Sequence, residues 1–246
     1  MDHFVYIAAS GARETMLAQA ANSHNLSNAS TTGFRADLVA ARSAYLSGAG
    51  HESRAYAGIR SQGVDFREGV ITATGRDLDV AINGEGWMAV QAPDGSEALT
   101  RRGDLRIDSF GQLTNGAGQS VLGKAGPIAL PPYSQLGIGT DGTISIVPLG
   151  EDPNTLVEFD RIRVVNPDPS LLTKGEDGLV RLQGEEPAVE DANIRLIPGS
   201  LESSNVNTVE SMVRMIELAR QFESHVKMIK TAEELDSSSA ALMRIS

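Results

Sequence analysis

The sequence predicts an α+β protein: long helices at the two chain ends, packing as a bundle or coiled coil, around a mainly antiparallel β middle, an irregular barrel or sandwich. Three observations carry this reading. Residues 3–28 and 205–245 place apolar residues at helical spacing. The stretch between them is cut into short alternating runs by Asn-Gly, Asp-Gly and Pro turns. The 246 residues include 25 glycines but only 4% aromatics, which suits a turn-rich β body. Four segments follow: an N-terminal helix with an Asn-rich trailer over 1–35, an extended or partly helical connection over 36–75, a β domain over 76–200, and a C-terminal helix over 201–246.

In the first helix, Val5, Ala9, Ala12, Met16, Gln19, Ser23 and Leu26 alternate gaps of four and three, a heptad seam made partly polar by Gln19 and Ser23. Asn22, Asn25 and Asn28 follow at i, i+3 and i+6, roughly along one face. An amide both donates and accepts, so such a row can fix the register of packed helices. Gly33 ends the helical pattern. Asp37–Leu46 can extend the helix, whereas the Gly-, Ser- and charge-rich 47–63 stretch reads as an extended or mobile connection.

The β pattern is clearest over 76–147. Residues 78–82 alternate before the turn pair Asn83-Gly84, Trp87–Val90 follow, and Asp94-Gly95, Asn115-Gly116 and Asp141-Gly142 repeat the device. Residues 160–165 and 178–182 continue it, with Pro167, Pro169, Pro187 and Pro198 in the connections. The last helix opens on Asn207, an N-cap residue with Glu210 three positions on. Met212, Met215, Ala219, Phe222, Val226 and Ile229 then alternate gaps of three and four. Ala232, Leu235, Leu242 and Ile245 carry on in a shifted phase. A few heptads alone are marginal in water, so both ends are expected to gain order on assembly.

Several chemistries are excluded or disfavoured. A net charge of −11 argues against nucleic-acid binding. No run of 18 apolar residues spans a membrane, and the N-terminus lacks the basic and apolar regions of a cleaved signal. The absence of cysteine removes disulfides, thiol catalysis and Cys-ligated zinc. His3, His24, His51 and His225 show no metal-ligand spacing. Gly84–Ala89 fits G-x-G-x-x-A, but a phosphate site needs a helix next and a strand pattern follows instead. Asp77 and Asp79 share a strand face, and Arg76, Arg101 or Arg102 can neutralise them in a structural ion network. No catalytic, cofactor or metal residue is expected.

Five motifs in order resemble the flagellar axial proteins of the rod and hook. They are residues 22–35 (Asn22 to Phe34-Arg35), 74–87 (Thr74 to Trp87), 100–113, 138–144 and 199–207. Met1-Asp-His3, Trp87 and Ala219–Glu223 favour a proximal-rod member over a distal-rod one. The resemblance implies a non-enzymatic structural subunit, exported without a cleaved signal, that polymerises in the periplasm with other proximal- and distal-rod subunits and further copies of itself. It implies no cofactor, nucleic acid or membrane insertion. The positions expected to carry assembly are Asn22, Asn25, Asn28, Gly33, Phe34, Asn205, Asn207, Met212, Met215, Ala219, Phe222, Val226 and Ile229. A non-incorporated assembly adaptor, or a secreted enzyme or glycan-binding domain with helical dimerisation arms, is the alternative.

Overall fold

A computed structural model describes residues 2–45, 55–152, 155–175, 177–184 and 188–243. The chain divides into two compact units. One comprises Met1–Asn28, Ala36–Asp65 and Val206–Ser246; the other comprises Ala29–Arg35 and Phe66–Asn205.

The first unit contains helix α1 (Asp2–Ser27), strands β1 (Asp37–Tyr45) and β2 (Ala55–Val64), and helix α2 (Thr208–Met243). At 36 residues, α2 is about 54 Å long. Asn207 caps it as the sequence predicts, its side-chain oxygen accepting from the Val209 and Glu210 amides at 3.0 and 3.3 Å. This supplies acceptors for donors that a helix start leaves unpaired.

Two features make α1 and α2 antiparallel neighbours. Gly11 abuts His225, and the Asn22 amide donates to the Ser211 carbonyl at 2.7 Å. The buried stripe of α1 is Ala8, Gly11, Ala12, Thr15 and Asn22. That stripe is turned from the predicted seam, leaving Ala9 and Met16 exposed. On α2 the buried positions are Ser211, Leu218 and Ala232, with Met215, Ala219, Phe222, His225, Val226 and Ile229 half-buried beside them. Close approach explains the turn. A Cβ on Gly11 would lie 2.4 Å from the His225 ring, so only a face of small residues fits there.

The helix does not continue over Asp37–Leu46. Residues 37–45 form β1, antiparallel to β2, with Asp37 opposite Val64 and Tyr45 opposite Ala55. The reason lies in Asn25, whose Nδ2 donates to the Asp37 carbonyl at 2.8 Å while its Oδ1 accepts from the Asp37 amide at 2.7 Å. One side chain thus satisfies both backbone groups of Asp37, as a neighbouring strand does, and the chain leaves extended. Leu46 and the 47–54 part of the expected mobile connection lie outside the described residues.

The second unit is β-rich. Its largest sheet runs, edge to edge, through strands 172–174, 180–182, 97–100, 87–91, 120–121, 113–115 and 105–107, and 164–165 also pairs with 87–91. It is open, so the barrel expectation is corrected to an open sheet among the described residues. Very short strands explain this: two- and three-residue edges offer too little ladder to close a ring. Strands 133–138, 143–148 and 157–161 form a second sheet, and two-stranded pairs join 80–83 to 195–198 and 71–73 to 200–202.

The unbroken apolar run at Trp87–Val90 follows from burial on both faces. Met88 and Val90 enter one cluster with Val80, Ile82, Leu105, Ile144 and Leu196, whereas Trp87 and Ala89 enter another with Leu99, Leu122 and Val165. Because strand side chains alternate, a strand covered on both sides loses its polar register.

Candidate assembly interface

Packing small residues against α2 leaves the large apolar side chains of α1 outside. Phe4, Tyr6, Ile7, Met16 and Leu17 are exposed, Tyr6 by 65%. On α2, Val209, Met212, Val213 and Ile216 fall at i, i+3, i+4 and i+7 and are 70%, 55%, 52% and 56% exposed. This spacing makes one apolar stripe along the first turns of α2. It includes Met212 of the expected assembly positions and three residues the heptad reading passed over. A pattern seeking one seam per helix finds one face; α2 has two. A groove of about 640 Å³ opens in the same unit, lined by Ala18, Val39, Val213 and Leu218 together with Glu14, Thr15, Glu210, Arg214, Glu217 and Gln221.

The three asparagines divide their work. Asn22 is buried and crosses to α2, Asn25 starts β1, and Asn28 donates to the His24 carbonyl of its own helix at 3.0 Å. His24 Nδ1 also meets Asp37 Oδ2 at 2.5 Å. They therefore serve separate junctions within the chain, and Asn22 is the one that bridges α1 to α2.

In the β-rich unit, the short 29–35 segment is held by the segment preceding α2. Gly33 takes φ +65° and donates to the Glu202 carbonyl at 2.8 Å; a Cβ there would strike the Arg101 backbone at 2.3 Å. Only glycine meets both demands. Phe34 is buried with Lys174 Nζ 4.0 Å above its ring, and its carbonyl accepts from the Asn205 amide at 3.3 Å. Asn205 Nδ2 donates to the Arg67 carbonyl at 3.0 Å.

Beneath this junction sits a buried charge cluster. The Glu202 carboxylate, 1% exposed, meets Arg35 Nη2 at 2.6 Å and Arg101 Nη1 at 3.0 Å. It also accepts from the Gly69 amide at 2.8 Å. Arg101 Nη2 donates to the Gly84 carbonyl at 2.7 Å. Both guanidinium carbons lie over the Trp87 ring, at 5.8 Å for Arg35 and 5.6 Å for Arg101, and Phe66 meets that ring edge-on at 5.7 Å. Two cations thus share one carboxylate and one aromatic face. Burial lowers the Arg101 pKa from its ordinary value, with Arg35 adding to that and Glu202 opposing it.

Of the three arginines that the sequence offers as partners for Asp77 and Asp79, Arg76 is the one that meets Asp79. Asp79 is buried, accepts from Thr74 Oγ1 at 2.7 Å and lies 3.5 Å from Arg76. Arg101 belongs to Glu202 instead, and Arg102 forks onto Asp104 at 2.7 and 3.1 Å. Burial pushes the Asp104 carboxyl up, but the hydrogen bond and charge of Arg102 and a bond from Thr32 hold it net below the usual carboxylate value. The Gly84–Ala89 segment leads into strand 87–91, not a helix. Among the described residues no group of His, Asp and Glu is placed to hold a metal, and no helix is long and apolar enough to cross a membrane.

Comparison with known proteins decides the family. The chain is 40% identical over 240 residues to the flagellar basal-body rod protein FlgF of Escherichia coli K12, covering 95% of each. It belongs to the FlgF family of flagellar basal-body rod proteins. FlgF of Salmonella typhimurium is 39% identical over the full length of both chains, and FlgF of Caulobacter vibrioides is 33% identical over 97% of this chain and 96% of its own. FlgG of Buchnera aphidicola subsp. Schizaphis graminum is 33% identical but covers only 69% of this chain and 66% of its own. FlgF relatives therefore match more of the chain than this FlgG does. Two family models also match. "Flagellar hook protein FlgE/F/G D1 domain" covers residues 81–146, within the β-rich unit. "Flagellar basal body rod FlgEFG protein C-terminal" covers 197–242, which carries Glu202, the Asn207 cap and nearly all of α2.

Proposed function

We propose that the chain is a structural subunit of the proximal flagellar rod, that it polymerises through the outward faces of α1 and α2, and that it passes torque from motor to hook. One observation carries this reading: the helix pair buries mainly small residues at its seam and leaves Phe4, Tyr6, Ile7, Met16, Leu17, Val209, Met212, Val213 and Ile216 exposed. Exposed large apolar side chains grouped on one helix face, as at Val209, Met212, Val213 and Ile216, mark an interaction face. Neighbouring rod subunits and further copies of this chain are its partners, and their helices complete a bundle or coiled coil around the pair. Asn22, Asn25, Asn28, Asn205 and Asn207 shape the helix ends that neighbours meet. Met215, Ala219, Phe222, Val226 and Ile229 flank the intrachain seam, and Gly33 and Phe34 hold the 29–35 segment against residues 202–205. The subunit reaches the periplasm through the flagellar export apparatus without a cleaved signal and has no catalytic role.

The test is Ile216→Asp. An exposed substitution changes stability by less than about 0.5 kcal/mol, so the purified variant keeps its unfolding midpoint. In cells it is exported but missing from purified hook–basal bodies. Normal incorporation of Ile216→Asp together with Met212→Asp overturns assembly through this face. A wild-type chain absent from complete rods overturns the structural role itself and favours the adaptor.

A further inference from the structure

We propose that Asn83 is a site of spontaneous deamidation, and that the fold silences the second Asn-Gly pair, Asn115-Gly116. The reaction needs an accessible carboxamide, a following backbone nitrogen with no side chain crowding it, and room for a five-membered ring. The Gly84 nitrogen attacks Asn83 Cγ. A C–N bond forms, the Cγ–Nδ2 bond breaks, and ammonia leaves with the Gly84 amide proton. Water then opens the succinimide at either carbonyl, leaving aspartate or isoaspartate at 83. The balance is asparagine plus water to acid plus ammonia, with no oxidant or enzyme.

The two pairs differ in each requirement. Asn83 is exposed at the end of strand 80–83, and its carboxamide makes no hydrogen bond among the described residues. Gly84 takes φ +80°, and nothing lies within 4 Å of the position a Cβ would occupy. Asn115 is 1% exposed. Its Oδ1 accepts from the Ala117 and Gln119 amides, both at 3.0 Å, and its Nδ2 donates to Gln119 Oε1 at 2.6 Å. The same probe position on Gly116 falls 1.8 Å from Asp104 Oδ2 and 2.7 Å from Arg102 Nη2. The Asn115 amide is therefore pinned away from its neighbour's nitrogen, and water is kept out.

The change at 83 reaches the interior. Gly84 carries the carbonyl that binds Arg101 Nη2. Isoaspartate inserts a methylene into the main chain immediately before that residue. The carbonyl moves off Arg101, and the cluster around Trp87 and Glu202 loses one of its anchors.

Trypsin separates the two sites, Asn83 on the 77–101 peptide and Asn115 on 107–124. The full-length chain is incubated at mildly alkaline pH and sampled over days. Digestion in isotopically heavy water marks any reaction during work-up. The 77–101 peptide is expected to split into aspartyl and isoaspartyl forms carrying the mass change of amide to acid, while 107–124 stays unchanged. Intact protein gains an ion-exchange species with one extra negative charge, which Asn83→Gln abolishes, and the aged fraction melts earlier than fresh protein. In urea both peptides react. A folded chain in which 77–101 stays intact while the urea sample reacts overturns the proposal. Equal conversion of both peptides in the folded chain overturns the claim that the fold selects between them.

Discussion

The two units use their residues in opposite ways. The β-rich unit turns its large side chains inward: Met88, Leu99, Leu105, Leu113, Ile128, Ile144 and Ile162 are all under 2% exposed or at that level. Its buried charges are paired within the chain, Glu202 with Arg35 and Arg101, Asp79 with Arg76. The helical unit does the reverse. It buries Ala8, Gly11, Ala12, Thr15 and Ser211 and shows water Phe4, Tyr6, Met16, Met212 and Ile216. Apolar burial contributes about 25 cal/mol per Å², so a helix pair that buries mostly small residues keeps most of that driving force in reserve. The difference teaches that one unit is built to be finished alone and the other to be finished by neighbours.

The comparison breaks most sharply at Glu202. Glu202→Ala leaves two buried guanidinium groups without their shared anion, and breaking a buried ion pair costs about 3–5 kcal/mol. Denaturant unfolding followed by β-sheet circular dichroism is expected to show a loss of that size. A loss below about 1 kcal/mol, the scale of an exposed pair, removes the claim that this unit is internally completed.

Gly11→Ala probes the other side. Overpacking costs about 1–3 kcal/mol, and the helix-propensity gain of about 1 kcal/mol over glycine offsets part of it. The expected net loss in helix stability is restored by His225→Ala, which empties the space the methyl group needs. No rescue in the double variant means that the two helices do not meet at that point. Asn22→Ala, which deletes the buried bond to Ser211, is expected to cost about 1 kcal/mol in the same thermal melt.

The smallest effect is that of acid. The Asp104 carboxyl is held below its ordinary value when folded, so its contribution to stability is present above the unfolded carboxylate pKa. That contribution is lost as pH falls through the folded pKa. Wild type should therefore lose stability faster than Asp104→Asn as pH drops below about 4. Parallel pH profiles refute the pairing with Arg102.

Much of this architecture was legible in the sequence, for physical reasons that also mark its limits. A 3.6-residue period reveals a helix at each chain end, and the spacing of Asn207 and Glu210 reveals the cap. The period weights large apolar residues, whereas close helix packing selects small ones, so the pattern points to Met16 while Thr15 is the residue buried. The 37–45 stretch, with three alanines, Leu38 and Arg42, has helical propensity; the Asn25 clasp reveals a strand. Arg76 and Asp79 are neighbours in sequence and could be paired by inspection. Arg35, Arg101 and Glu202 could not, although each lies in one of the segments that resemble the axial family, and that shared placement was the available signal.

Trp87 is the chain's single tryptophan, and it is 6% exposed between Phe66 and the two arginines. Its emission is therefore expected to report the seating of the 29–35 and 200–205 segments together with the packing of Leu99, Leu122 and Val165 around it. The buried indole is expected to emit to the blue when Arg35 is in place and to shift to the red when water reaches it. During refolding, that colour change is expected to date the closing of this niche separately from the growth of helical ellipticity.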